Sequence, residues 1–303
     1  MNGVRALVTG GAGFIGSNLA DALVGRGDAV LVLDDLSTGR RENVEDGIAL
    51  AEADVVDADA VGRACEEHRP EVIFHLAAQV DVRRSVADPP HDARVNVEGT
   101  VVVLEAARRH GARLVFSSTG GAIYGETGVV PTSEDAPRQP LAPYGQGKAA
   151  AEDYLALYAR LHDADVVALR YANVYGPRQD PLGEGGVVAI FAERAHRGEP
   201  AIVYGDGRQT RDFVYVDDVV AANLAAAQHP DATGAYNVGR GEETSVLALA
   251  DMLGVTVEHR PERTGEVRRS ALDPARARRE LGWEAGVGMA EGLERTLRWV
   301  GCR

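Results

Sequence analysis

The sequence predicts an α/β protein: a doubly wound parallel sheet in the first part of the chain, followed by a smaller C-terminal α/β lobe. Three observations predict it. Over roughly the first 170 residues, short apolar runs alternate with helical stretches, the pattern of a parallel sheet covered on both faces. A glycine cluster, Gly10-Gly11-Ala12-Gly13-Phe14-Ile15-Gly16, stands at the first strand-to-helix turn. After Asn173 the elements shorten and turn residues multiply, as in Tyr175-Gly176-Pro177-Arg178.

The elements follow in order. Arg5–Thr9 is a short apolar strand, and after the glycines Ile15, Leu19, Ala22 and Leu23 recur at helical spacing up to Gly25 and Gly27. A second strand over 29–33 ends at Asp34. Further strands are expected at 72–75, 114–117 and 166–170, with helices near 57–67, 92–110 and 145–161 between them. The lobe should carry a glycine-rich loop at 183–186, helices near 187–197, 217–228, 245–253 and 289–300, and strands near 211–216 and 235–238. Residues 1–173 are therefore expected to form a dinucleotide-binding domain and 174–303 a substrate lobe, some of whose elements are free to return to the first domain.

Composition narrows the function. The 303 residues are 45% hydrophobic and 26% charged, ordinary for a soluble globular protein of one large or two smaller domains. A net charge of −14 argues against a nucleic-acid partner, because a polyphosphate would be repelled. A small anion is still accommodated by a local basic pocket. The late arginines Arg260, Arg263, Arg268, Arg269, Arg276, Arg278 and Arg279 read mostly as solvated faces. Cys65 and Cys302 make neither a disulfide framework nor a zinc site, so no metal is expected. With no leader pattern and no apolar run of about 18 residues, the expectation is a cytoplasmic protein with no membrane partner.

Each glycine of the cluster has a physical task. Gly10 lets the chain turn sharply after the strand, Gly13 lets backbone approach a pyrophosphate, and Gly16 lets the helix sit close to the sheet. The helix N-terminus then offers free N–H groups to the anion. The strand–turn–helix context turns a weak glycine triplet into a dinucleotide fingerprint. Asp34, eighteen residues after Gly16, would accept hydrogen bonds from the adenosine ribose and repel a 2′-phosphate, which favours NAD over NADP; Arg40 and Arg41 nearby pull the other way. Asp54 either touches the adenine or is a surface carboxylate.

Tyr144 and Lys148 are four residues apart and share one face of the helix over 145–161. A phenol is a poor base at neutral pH, and a neighbouring ammonium stabilises its phenolate. Upstream, Ser117-Ser118-Thr119-Gly120-Gly121-Ala122 ends a strand where ligands bind in such sheets, so one hydroxyl could donate to a sugar oxygen under oxidation; a plain Ser/Thr turn is the alternative.

Together these residues resemble the extended short-chain dehydrogenase/reductase family, specifically its UDP-galactose (UDP-glucose) 4-epimerases. The motifs that carry the likeness are Thr9–Gly16, Asp34-Asp35-Leu36-Ser37-Thr38-Gly39, His75-Leu76-Ala77-Ala78-Gln79, Tyr144 with Lys148, Asn173-Val174-Tyr175-Gly176-Pro177-Arg178, Tyr204-Gly205-Asp206-Gly207, Arg211-Asp212-Phe213-Val214-Tyr215-Val216-Asp217-Asp218, and Arg263-Thr264-Gly265-Glu266. They span essentially the whole chain in the family's order. The resemblance implies a Rossmann fold, NAD held at Gly10, Gly13, Phe14, Ile15, Gly16, Asp34, Asp35, Ser37, Thr38, Gly39, Asp54, Val55, Leu76, Ala77, Ala78, Gln79, Asn96, Ser117, Tyr144, Lys148, Tyr171 and Val174, and a catalytic set of Tyr144 and Lys148 with Ser118 or Thr119. It implies a UDP-sugar at Val80, Thr119, Gly120, Tyr144, Asn173, Val187, Val188, Phe191, Val203, Tyr204, Arg211, Arg263, Glu266 and Ser270. Asn173, Arg211 and Arg263 match diphosphate ligands and Glu266 a uridine-ribose contact; arginine's planar fork suits phosphate oxygens. A homodimer through helices near 92–110 and 145–161 is implied as well.

One departure stands out. Many relatives place a catalytic hydroxyl where this chain has Gly120; the glycine resembles a bacterial and archaeal subgroup, and either Thr119 or Ser118 takes the role or the loop is rearranged. Related dehydratases and decarboxylases place carboxylates in this loop, where Gly120-Gly121-Ala122 has none. A non-catalytic NAD-binding regulator would be expected to lose Tyr144 or Lys148. Ser270 matches a gate position whose small side chain leaves room for a 2-acetamido group, and Arg83 and Arg84 leave a uronic acid as the alternative substrate.

Overall fold

The computed structural model describes residues 3–181, 186–262 and 267–301. Its strands, in chain order, are β1 (Arg5–Thr9), β2 (Ala29–Asp34), β3 (Ala49–Glu52), β4 (Val72–His75), β5 (Arg113–Thr119), β6 (Val166–Tyr171) and β7 (Asn173–Tyr175). Then come β8 (Ala201–Tyr204), β9 (Thr210–Arg211), β10 (Phe213–Tyr215), β11 (Gly234–Val238), β12 (Thr244–Ser245), β13 (Val257–Arg260) and β14 (Arg269–Ser270).

Seven of them form one sheet in the order β11-β6-β5-β4-β1-β2-β3, every pair parallel. The order reverses between β1 and β4. A crevice therefore opens at the carboxyl ends of these strands, where such sheets bind ligands. The central strands are almost continuously apolar because both faces are covered. Side chains alternate between two cores: Ala6, Val8, Phe74 and Val115 face one, with Leu19, Leu23 and Trp283, while Leu7, Ile73, Leu114 and Phe116 face the other, with Val61, Leu104 and Leu155. The lobe has its own core around Tyr175, Phe191, Val203, Phe213, Leu249 and Leu293.

The lobe is not one contiguous segment after residue 173. β11 closes the edge of the main sheet, and the helix Val216–Gln228 packs its Val219, Val220 and Ala226 into the first core. The expected helix near 92–110 is three pieces, Pro89–Ala93, a π-helical Arg94–Glu98 and Gly99–His110. The expected strand over 211–216 is broken at Asp212, whose buried carboxylate accepts backbone N–H groups of Arg240 (2.9 Å), Gly241 (3.0 Å) and Leu272 (3.2 Å). β3, β8 and β13 escaped the sequence reading; β13 is exposed throughout and carries no apolar pattern to find.

Candidate active site

The glycine turn is required by contact. Gly10 has φ +69°, and a Cβ on it would lie 2.6 Å from the backbone nitrogen of Ala77. A Cβ on Gly16 would lie 2.2 Å from the Gly10 carbonyl oxygen. The helix Phe14–Gly25 begins at Gly13 with no side-chain cap and no acid in its first turn, so its N–H groups face the crevice unneutralised. Beside it, Asp34 accepts from the Ala12 and Leu36 N–H groups, both at 2.9 Å, and burial raises its pKa. Gly39 lies against the same carboxylate. Asp35 accepts from the Ser37 N–H and hydroxyl, shaping the loop that Thr38 continues. Arg40 pairs with Asp180 at 3.1 Å and Arg41 with Glu52 at 3.2 Å, so the two cations that could have welcomed a 2′-phosphate already face carboxylates. Asp54 accepts from the Val56 N–H, and Val55 is buried against Gly99.

Below the crevice, His75 links three elements. Its Nδ1 lies 2.7 Å from the Thr9 hydroxyl and its Nε2 3.1 Å from that of Thr100, which donates to the Asn96 carbonyl. Because Thr100 spends its proton on that carbonyl, Nε2 carries the imidazole proton and Nδ1 accepts from Thr9. Full burial, with the nearby Lys148 charge adding to it, lowers the His75 pKa to about 3, which keeps the ring neutral. The Asn96 side chain holds Gln79 at both its N–H (3.1 Å) and carbonyl (2.9 Å), and Asp92 accepts from Gln79 Nε2 and Asn96 Nδ2. This fixes the Leu76–Ala77–Ala78–Gln79 loop at the mouth of β4.

The helix Pro143–His162 brings in Tyr144 and Lys148. Gly145 lets it approach the Ala122 carbonyl, 2.6 Å from where a Cβ would sit, and Gly147 lets it approach Asn96 and Asp92. Lys148 is 2% exposed; its Nζ donates to the Ser117 carbonyl at 2.9 Å and sits 4.7 Å from the Phe116 ring centre. Tyr144, one turn earlier, is half-buried. Along β5 the faces alternate, so Ser117 and Thr119 lie opposite Ser118. Ser118 is buried and donates to Glu152 at 2.6 Å. Glu152 in turn receives Arg170 through both oxygens, at 3.0 and 2.6 Å. Of the two candidate hydroxyls, Ser118 is thus already bonded to a buried carboxylate. Beside Gly120 the space is taken by Leu272: a Cβ there would fall 2.3 Å from Leu272 Cδ1.

The lobe supplies the other wall. Asn173 opens β7, paired with Phe213 of β10, and a Cβ on Gly121 would lie 3.7 Å from its Oδ1 and 4.0 Å from Thr119 Oγ1, so both groups border one space. Val174 packs between the first core and that of the lobe. Arg211 sits in the middle strand of the small sheet β12-β9-β14, in register with Ser270. Val188, Phe191 and Val203 are core residues of the lobe, Val187 and Tyr204 are half-buried, and Val80 is exposed. Phe14 and Ile15 pack the helix against the two cores, and Tyr171 donates to Asn223. Arg83 is largely exposed beside Asp81. Arg263 and Glu266, expected at the diphosphate and ribose, lie outside the described residues. Among the described residues, no three His, Cys, Asp or Glu side chains converge as a metal site, and no helix is long and apolar enough to cross a membrane.

The model of the NAD dependent epimerase/dehydratase family matches residues 6–239. A UDP-glucose 4-epimerase of Mycolicibacterium smegmatis is 50% identical over 98% of both chains. Among solved structures, UDP-glucose 4-epimerase of Thermotoga maritima with UDP-glucose superposes with a TM-score of 0.95 at 46% identity, covering 98% of both chains. The Thermus thermophilus UDP-glucose 4-epimerase in complex with NAD gives 0.90 at 45% identity, covering 98% of this chain and 99% of that one. The chain belongs to the NAD-dependent epimerase/dehydratase family.

In this member of the family, several buried residues that brace the crevice were not among the candidates read from the sequence. Asp92, Glu152, Arg170, Asp212 and Leu272 are all at most 7% exposed, yet only Leu272 is apolar. Glu152 carried a signal, lying one helical turn beyond Lys148. Asp92 has one near partner in Asn96, four residues on, while those of Arg170, Asp212 and Leu272 come from distant segments.

Burial lowers the Lys148 pKa to about 8, with Asp92 and then Glu152 opposing that shift. Its folded value lies below the ordinary value of about 10.4. Between these two pH values the unfolded chain binds the proton more readily, so this residue makes stability rise with pH across that window; below about pH 8 the ammonium's burial cost is fully present. Activity should run the other way, falling above about pH 8 as the cation is lost. Asp92→Asn should move that alkaline limb to lower pH in a pH–rate profile. A limb that stays or moves up would remove Asp92 from the electrostatics of this lysine.

Proposed function

We propose that this protein is an NAD-dependent UDP-hexose 4-epimerase. The observation that carries the reading is the buried Lys148, fixed on the Ser117 carbonyl one helical turn from Tyr144, at the carboxyl end of β5 where the crevice opens. The cradle fits the cofactor: Gly10 and Gly16 let the turn and helix close tightly on neighbouring backbone, Gly13 suits the close approach of a pyrophosphate, the Phe14–Gly25 helix presents N–H groups to it, and Asp34 suits an unphosphorylated ribose. NAD bound there would supply a hydride acceptor and donor for C4 of the sugar.

The chain's own residues handle the proton and the position. Tyr144 takes the proton of the 4-hydroxyl and later gives it back, its phenolate favoured by the Lys148 ammonium. Thr119, on the crevice face of β5, donates to the sugar oxygen, since Ser118 is committed to Glu152. Asn173 and Arg211, with Arg263, hold the diphosphate while the keto sugar turns about its link to it. Glu266 takes the uridine ribose. Incubation with a panel of UDP- and TDP-sugars, with C4 configuration read by NMR, tests this; a 4-keto-6-deoxy sugar or a pentose as product would overturn it.

Within the panel, the small Ser270 beside Arg211 supports acceptance of UDP-GlcNAc and UDP-GalNAc besides UDP-glucose and UDP-galactose. Ser270→Tyr should lower kcat/KM for the acetamido sugars by about 10- to 200-fold, the range that a pocket steric change commands, while sparing the plain hexoses. Equal loss on both would dismiss the gate. The protein is further read as a cytoplasmic homodimer joined through the helices Gly99–His110 and Pro143–His162, supported by Tyr154 and Leu161, 39% and 64% exposed on the second of these.

A further inference from the structure

We infer that Leu272, a residue of the segment following β14, is a positioning residue that holds the Thr119–Gly120 turn and the Tyr144–Lys148 helix in register with each other. Leu272 is 1% exposed and belongs to a small core of its own with Ile123, Tyr124 and Ala149. Ile123 and Tyr124 lie at the end of the short helix that Thr119 precedes, and Ala149 follows Lys148 directly. One side chain from the lobe is thus wedged between the two elements that carry the reacting groups.

The wedge is tied down through its backbone. Its methyls occupy the space of a side chain at Gly120, 2.3 and 2.6 Å from where a Cβ would stand. Its backbone N–H is held by the Asp212 carboxylate at 3.2 Å, and Leu272 bridges to Thr132. On both sides, Ala271 accepts from the Thr132 N–H at 2.8 Å and the Asp273 N–H donates to Thr132 at 2.9 Å. Asp212 follows Arg211, and Ser270 precedes Leu272 by two residues. The strands that would grip the diphosphate and the sugar are therefore tied, through one leucine, to the strand end that would meet the 4-oxygen. A glycine at 120 and a leucine at 272 form a matched pair: bulk removed from the turn is supplied by the lobe.

This inference rests on the proposed epimerase activity and predicts coupling that packing alone does not. Leu272→Ala should lower kcat for UDP-galactose by about tenfold or more and leave KM within about threefold, because the side chain meets the catalytic turn and not the diphosphate. Leu272→Met, which refills the space, should restore most of the turnover. In a Thr119→Ala background, Leu272→Ala should cost little further kcat, since contacting groups that act through one another are non-additive. Multiplicative losses in the double variant, or wild-type kcat in folded Leu272→Ala, would overturn the inference. Retained NAD and a cooperative unfolding transition in each variant separate this from misfolding. A wild-type enzyme inert on every sugar of the panel would instead sink the activity on which the inference stands.

Discussion

Tyr144→Phe is expected to lower turnover of UDP-galactose by about 10²- to 10⁴-fold, the usual worth of a positioned acid–base group. The substitution removes one oxygen and leaves the ring, so the helix and its seat on Gly145 and Gly147 should persist. KM and the retention of NAD should change little, because the phenol is asked to act on the proton and not to hold the diphosphate. A coupled assay of UDP-glucose formation, with bound dinucleotide measured on the same preparation, reads both quantities. Turnover within about threefold of wild type would remove Tyr144 from the chemistry and with it the proposed mechanism.

Glu152→Ala is expected to cost about 3–5 kcal/mol of stability, read by urea unfolding, because it leaves a buried guanidinium without its partner. Both oxygens of Glu152 receive Arg170, at 3.0 and 2.6 Å, and one also receives the Ser118 hydroxyl at 2.6 Å. Arg170 then turns its remaining nitrogen to the Tyr124 hydroxyl, which donates to Asn237 of β11. The pair so joins the catalytic helix, β5, β6 and the edge strand. Glu152→Gln keeps acceptors for Ser118 and for one arm of the arginine, and should lose distinctly less. A loss below about 1 kcal/mol for the alanine variant would mean that water reaches the freed Arg170 guanidinium and replaces the carboxylate.

The fold is largely legible in the sequence. The alternation of buried strands with amphipathic helices, and the strand–glycine–helix start, specify a parallel sheet, because only a sheet covered on both faces buries such continuous apolar runs. The cofactor turn was legible for the same kind of reason: Gly10 and Gly16 stand where any Cβ would meet backbone. Tyr144 and Lys148 were legible as a pair because helical spacing is local. What stayed hidden needed partners far away in sequence. β13 forms because β8 lies alongside it, although its own residues are exposed and polar in pattern. β11 joins the main sheet although the lobe surrounds it in sequence.

The same division runs through the site. By itself the sequence determined the identity of the groups and their local geometry: a glycine cradle, a carboxylate at the end of the second strand, a tyrosine and a lysine on one helical face. Tertiary structure alone decided that Ser118 bonds to Glu152, that Leu272 packs against residue 120, and that Lys148 is buried within the influence of Asp92 and Glu152. Spacing along a helix or strand fixes direction within one element, whereas burial, charge pairing and steric room are set by whichever distant residues the fold packs against it.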